Sequence, residues 1–187
     1  SAPVARQATA RWRALTDSLR NGNGSPALWA ARAAAAQQLA DTAAALADLH
    51  RALALAAQDP ALRLQRAQLH YALGQDSAAL QDLALAAGEP PARTARGFLL
   101  EGMVLARMGE GGSARQAWAT ALEMEPALAG RLFMSIPTEL ATRRLESARL
   151  RAGFLAAREP SRAIYQAMLA RVHTEAGALD SAATAYA

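Results

Sequence analysis

Cysteine and lysine are both missing from the 187 residues. The first absence removes disulfides, thiolate catalysis and cysteine metal sites together, and leaves periplasm and cytoplasm undistinguished. The second makes every one of the 20 basic residues an arginine. Lysine-free, alanine-rich chains are typical of GC-rich bacterial genomes. Aromatics are scarce at 5%, against 52% hydrophobic residues, because alanine dominates the apolar class. Alanine is the best helix former and a poor core filler, so this mix suits many helices packed closely through small side chains and argues against a β-rich fold. The net charge is only +4, with the arginines dispersed among 16 acids. That is not the dense basic stripe of a nucleic-acid binder. No apolar run approaches the ~18–20 residues of a membrane span, and no signal-peptide pattern is present, so membrane insertion is not expected. The chain starts Ser-Ala-Pro and stops at Tyr186-Ala187 inside a helical pattern, which reads as a piece of a longer protein.

What is present is periodicity. Residues 4–20 place Ala8, Trp12, Leu15 and Leu19 on one helical face. Asn21-Gly22-Asn23-Gly24 then breaks the run, and Ser25-Pro26 reads as an N-cap followed by a first helical residue. From there a pattern recurs. Trp29, Ala33, Leu39, Ala40-Asp41, Ala45, Leu49 and Ala52 return 34 residues later as Arg63, Ala67, Leu73, Gly74-Gln75, Ala79, Leu83 and Ala86. A step of 35 lands on Phe98, Gly102, Met108, Gly109-Glu110, Ala114, Trp118 and Ala121, and a further 68 on Gln166, Ala170, Ala176, Gly177-Ala178, Ala182 and Tyr186. Each segment is expected to be two helices joined by a short turn, with Gly74, Gly109 and Gly177 in the left-handed C-cap conformation. Thr42, Ser77, Ser113 and Asp180 are the expected caps of the second helices. The small-residue columns, Ala33/Ala67/Gly102/Ala170 and Ala45/Ala79/Ala114/Ala182, fit helices whose axes approach at ~8 Å.

With these columns the chain resembles the tetratricopeptide repeat, most clearly over residues 26–126 and in part over 163–187. Arg32, Arg66 and Glu101 stand where the family usually has leucine, and Ala36 where it usually has tyrosine. The resemblance implies an all-α fold, a right-handed superhelical solenoid of antiparallel helical hairpins. An N-terminal helix and linker (1–25) would precede repeats at about 26–59, 60–94, 95–128, a degenerate 129–162 and a partial 163–187. In the degenerate period Pro137 interrupts the first helix and no glycine turn follows, so residues 138–159 read as one longer helix. On it Arg144, Arg151 and Arg158 share a heptad-spaced face, expected to be solvated and partly paired with Glu139 and Glu146.

A catalytic set is not evident. His50, His70 and His173 are far apart in sequence, without metal-ligand spacing; His70 and His173 share one repeat column, which favours packing histidines. Residues 109–113 superficially look like a phosphate-cradling loop but lack the preceding strand and the Lys-Ser/Thr ending. No enzyme activity, cofactor or metal is therefore expected. By register, the resemblance places Gln37, Gln38, Gln68, Tyr71, Arg96, Met103, Arg107 and Arg171 in the concave groove that such proteins line with first helices. The expected function is a non-enzymatic protein–protein interaction scaffold binding a protein or peptide segment there. The alternative is a periplasmic module of envelope assembly or exopolysaccharide export, in which glutamine, tyrosine and arginine would contact polysaccharide. A carboxylate clamp is disfavoured: Ala30 and Ala34 occupy the matching places. The related RNA-reading repeat is disfavoured too, because no recurring pair of base-reading polar residues is visible.

Overall fold

The computed structural model describes residues 2–22, 24–86 and 94–177, with side chains from residue 4 onward. Ten helices and no strand occur among them. Two compact units divide the chain, residues 1–92 and 93–187.

The first unit holds α1 (Ala2–Arg20), α2 (Pro26–Gln38), α3 (Thr42–Leu55), α4 (Pro60–Ala72) and α5 (Asp76–Ala86). The hairpins are α2 with α3 and α4 with α5; α1 lies against α2, and α3 touches α4. The second unit holds α6 (Ala95–Arg107), α7 (Gly111–Met124), α8 (Leu128–Ala141), α9 (Leu145–Arg158) and α10 (Ala163–Glu175). Here α6 pairs with α7 and α8 with α9, α10 packs on α9, and α8 touches both α6 and α10. The first core gathers around Ala33, Ala45, Leu49, Leu53, Leu62 and Leu69. The second gathers around Trp118, Leu122, Leu132, Ile136, Leu155 and Tyr165.

A turn residue of the same left-handed conformation follows α2, α4, α6, α8 and α10. Gly74, Gly109 and Gly177 take positive φ, as expected, and so do Ala40 and Arg143 at the equivalent places. In four turns the amide two residues past the last helical cap bonds back five residues, Asp41 to Ala36, Gln75 to His70, Glu110 to Leu105 and Arg144 to Glu139. With the shorter bond beside it, from Ala40 to Gln37 and its equivalents, this is a Schellman closure that satisfies otherwise orphaned carbonyls.

Three expectations are corrected. Residues 138–159 are not one helix: α8 ends at Ala141, and α9 begins at Leu145. The turn there is closed by Arg143 at φ 58°, a position where arginine is indistinguishable in sequence from a helix interior. Pro137 lies inside α8, so it deletes one backbone donor without ending the helix. Third, the caps sit one residue earlier than expected or are missing. Asp41, not Thr42, accepts from Ala44 N at 2.9 Å, Ser77 lies inside α5, and α7 starts after Glu110 with no side-chain cap bond. Asp180 lies outside the described residues. Ser25 does cap α2, accepting from Leu28 N, and Pro26 is its first residue.

Packing across each hairpin follows an offset of sixteen residues. Ala33 and Leu49, Ala67 and Leu83, Gly102 and Trp118, and Ile136 and Ala152 are all buried. Each pair combines a small residue with a larger one. The third pair is the extreme case. A Cβ on Gly102 would lie 2.5 Å from the Trp118 ring and 2.9 Å from the Ala114 carbonyl oxygen. The indole fits only because the opposite helix has no side chain at that point.

Candidate functional site

The polar chemistry of the first unit begins where the family's leucine is missing. Arg32 Nε and Nη2 donate to the two Asp48 carboxylate oxygens at 2.7 and 2.6 Å. One period later Arg66 makes the same fork to Asp82 at 2.8 and 2.6 Å. Both pairs again span sixteen residues, and both aspartates are almost fully buried. The hydrogen bond to the carboxylate raises each arginine's pKa above its ordinary value, against the desolvation that lowers it. Around Asp82 also lie Arg63 Nη1 at 3.8 Å and His70 Nε2 at 3.7 Å. His70 Nδ1 is 2.6 Å from Gln75 Oε1, so the packing role expected of this histidine carries a turn contact as well. Arg32 stacks between Trp12 and Trp29, with its guanidinium carbon 5.8 and 4.9 Å from the ring centroids. That stack attaches α1 to the first hairpin.

In the second unit the polarity is inverted. Arg151 comes from the second helix of its hairpin and is fully buried, donating to Ser135 Oγ at 3.0 Å and to the Met103 carbonyl at 3.3 Å, and pairing with Glu139 at 3.1 Å. Two of the three arginines of the expected solvated face, Arg144 and Arg158, are exposed, and the third, Arg151, is core. Its partner Glu139 was legible, its burial was not.

The eight expected groove residues divide between the units. Gln37 and Gln38 are exposed at the end of α2, Gln68 is exposed on α4, and Tyr71 beside it is half-buried. In the second unit Arg96 is exposed, and Met103 and Arg107 are half-buried on α6. Arg171 is exposed on α10 and paired with Glu175 at 2.8 Å. Sequence register assigned no residue of α8 to the groove, because Pro137 and the absent glycine hid the fourth hairpin. Adding one period to Arg96, Met103 and Arg107 gives Gly130, Pro137 and Ala141, and another gives Ile164, Arg171 and Glu175. Leu100 leads likewise to Met134 and Met168.

Among the concavities of the second unit, one of about 490 Å³ lies along α10 at Met168, Arg171 and Glu175. Another, about 520 Å³, is bounded by Gly111 and Arg115 of α7, Arg149 and Leu150 of α9, and His173 of α10, and a third, about 430 Å³, by Leu122, Pro126, Ala129, Arg158 and Glu159. His173 Nδ1 is buried without a hydrogen-bond partner among the described residues; five residues on in sequence, where His70 has Gln75, stands Ala178. No group of three or more potential metal ligands occurs among the described residues. No described helix is long and apolar enough to cross a membrane.

The arrangement of hairpins, Schellman turns and small-residue columns has clear structural relatives. PilW, described as a widely conserved type IV pilus biogenesis factor, superposes with a TM-score of 0.67 at 19% identity, over 97% of this chain and 82% of its own. The fold is that of a tetratricopeptide-repeat protein. A tetratricopeptide repeat protein from Parabacteroides merdae matches with a TM-score of 0.68 at 16% identity, over 95% of this chain and 70% of its own. YrrB, described as a tetratricopeptide-repeat protein with an unusual peptide-binding site, matches with 0.61 at 15% identity, over 92% and 88%. No family model and no curated protein matches the sequence. The tetratricopeptide fold therefore rests on structure, and its repeats on the register described above.

Proposed function

We propose that this chain is a non-enzymatic scaffold that holds a peptide or protein segment against the exposed faces of its first helices, α2 and α4 in one unit and α6, α8 and α10 in the other. The observation that carries this reading is the register. On α6, α8 and α10 the columns Arg96/Gly130/Ile164 and Arg107/Ala141/Glu175, one period apart, stay exposed or half-buried, while Asp48, Asp82 and Arg151 of the second helices are buried in the cores. Helical repeats of this kind offer extended surfaces for extended or helical ligands. YrrB, which shares the fold, is described as having a peptide-binding site, in keeping with this use of it.

The test is selection of peptides from a displayed random library against the whole chain, followed by affinity measurement with a Tyr71→Ala, Arg96→Ala, Arg107→Ala triple variant. Loss of binding with an unchanged melting curve is expected. Undiminished binding to the variant would remove these faces from the reading. The melting control is needed because Tyr71 and Arg107 also engage neighbours within the fold. A glycan array run in parallel addresses polysaccharide. The exposed amides Gln37, Gln38 and Gln68 are the groups that would bind it, and glycan binding without peptide binding would favour the envelope-export alternative.

A further inference from the structure

We infer that the second unit takes an amphipathic α-helix whose apolar stripe is bordered by acidic residues, and not an extended strand. This deepens the proposed function and rests on it.

The first helices of this unit lie side by side, α8 touching both α6 and α10, and they share a register of 34 residues. On α8 the outward positions Gly130, Met134, Pro137 and Ala141 follow one another at helical spacing and carry no charge. Met134 is 69% exposed, and on α10 Ile164 is 55% exposed beside the half-buried Met168. Methionine is flexible and polarisable, and it suits surfaces that accept the apolar face of a helix.

The choice between a helix and a strand follows from hydrogen bonding. An extended ligand brings unpaired backbone N–H and C=O groups, which need partners once covered. An all-helical receptor offers no sheet edge to supply them. Side-chain amides could substitute, but α6 and α8 contain neither asparagine nor glutamine. The single glutamine of α10, Gln166, is already committed to the Ala156 and Pro160 carbonyls. A helix satisfies its own backbone and asks only for apolar contact. The first unit is chemically different: its outward amides, Gln37, Gln38 and Gln68, are of the kind an extended chain requires.

Charge sets the flanks. Arg96 at the start of α6 and Arg131 at the start of α8 are both exposed. Arg171 on α10 is exposed but already paired with Glu175 at 2.8 Å, so Arg96 and Arg131 carry most of the flanking charge. Carboxylates beside the ligand's apolar stripe complement these guanidiniums, and a lysine-bordered helix would be repelled.

The experiment measures fluorescence anisotropy of three labelled synthetic peptides with the whole chain. The first is an amphipathic helix with leucines at i, i+3, i+4 and i+7 and glutamates at the borders. The second has the same composition scrambled, and the third replaces the glutamates with lysines. The first peptide is expected to bind at least about tenfold more tightly than either control. Met134→Glu with Met168→Glu should weaken it by a similar factor, while Gln116→Ala, at an exposed position of the second helix α7, should leave it unchanged. Both methionines are solvent-facing or half-buried, and retained melting checks the fold. Equal binding of the scrambled peptide overturns the inference. So does undiminished binding by the methionine variant, although that result would leave the scaffold reading standing. If none of the three peptides binds and the displayed library also yields no ligand, both readings fall.

Discussion

Arg66 and Asp82 show why a departure from the repeat's leucine can be tolerated. A charge in that column is stranded unless a partner arrives from the facing helix, and Asp82 arrives sixteen residues later with two hydrogen bonds. Removing one member of a buried pair costs about 3–5 kcal/mol, whereas removing both is often neutral. Arg66→Leu should fall at the low end, about 3 kcal/mol, because Arg63 and His70 remain near the carboxylate. Adding Asp82→Ala should recover most of the loss, since the third hairpin has Ala117 at that place; urea denaturation of the two variants measures both. Backbone strain gives a second prediction. Ala40 and Arg143 hold φ 58°, which costs a side chain about 1–2 kcal/mol. Glycine at either place should stabilise by about 0.5–1 kcal/mol after its own entropy cost. A third concerns acid. Burial, then the charges of Arg66 and His70, lower the His50 pKa against the opposing pull of Asp82. The unfolded chain therefore binds more protons below the ordinary histidine pKa of about 6.5, and stability falls as pH drops through that region. His50→Gln should flatten this part of the stability–pH curve, measured by thermal melts between pH 7 and pH 5.

At the scale of the element, glycines inside helices have opposite meanings that spacing alone does not separate. Gly102 lies under Trp118, so Gly102→Ala should overpack the α6–α7 contact and cost about 1–3 kcal/mol. Gly153 in α9 has nothing within 4 Å of an added Cβ, so Gly153→Ala should stabilise by about 0.5–1 kcal/mol through helix propensity alone. Parallel melts of the two variants check the contrast. The hairpins themselves were legible because small columns and glycine turns recur at one period. The Ala40 turn was located by that period. The Arg143 turn was not, because neither arginine nor its neighbours signal a left-handed residue, and Arg143-Arg144 continue a convincing helical pattern. The cost of that misreading passed to the candidate site. With α8 merged into a longer helix, Met134 had no column to belong to, and the apolar half of the second unit's outward face went unseen. Gln37, Gln68 and Arg96 could be given a register because turn and period were both intact around them, and the structure leaves all three exposed.

For the molecule as a whole, two separate buried clusters serve two units, and each has its own closed hairpins. In repeat proteins, stability is approximately a sum over units and their neighbours. A fragment of residues 94–187 should therefore fold by itself. Trp118, the only tryptophan in it, should emit as a buried indole and lose that signal in one cooperative step on heating. Emission characteristic of exposed indole in the isolated fragment would show that the second core needs the first. The two units also differ in surface chemistry: Gln37, Gln38 and Gln68 are exposed on the first, and Met134, with the half-buried Met103 and Met168, on the second.

The sixteen-residue pairing also decides what can be transplanted. A chimera that replaced α6 by α4 would set Ala67 where Trp118 requires Gly102, and would leave Arg66 facing Ala117 in place of an aspartate. Exchange of an entire hairpin carries both partners of every such pair with it. The smallest interchangeable cassette of this chain is thus the hairpin, and a designer shuffling single helices would break it at the seam.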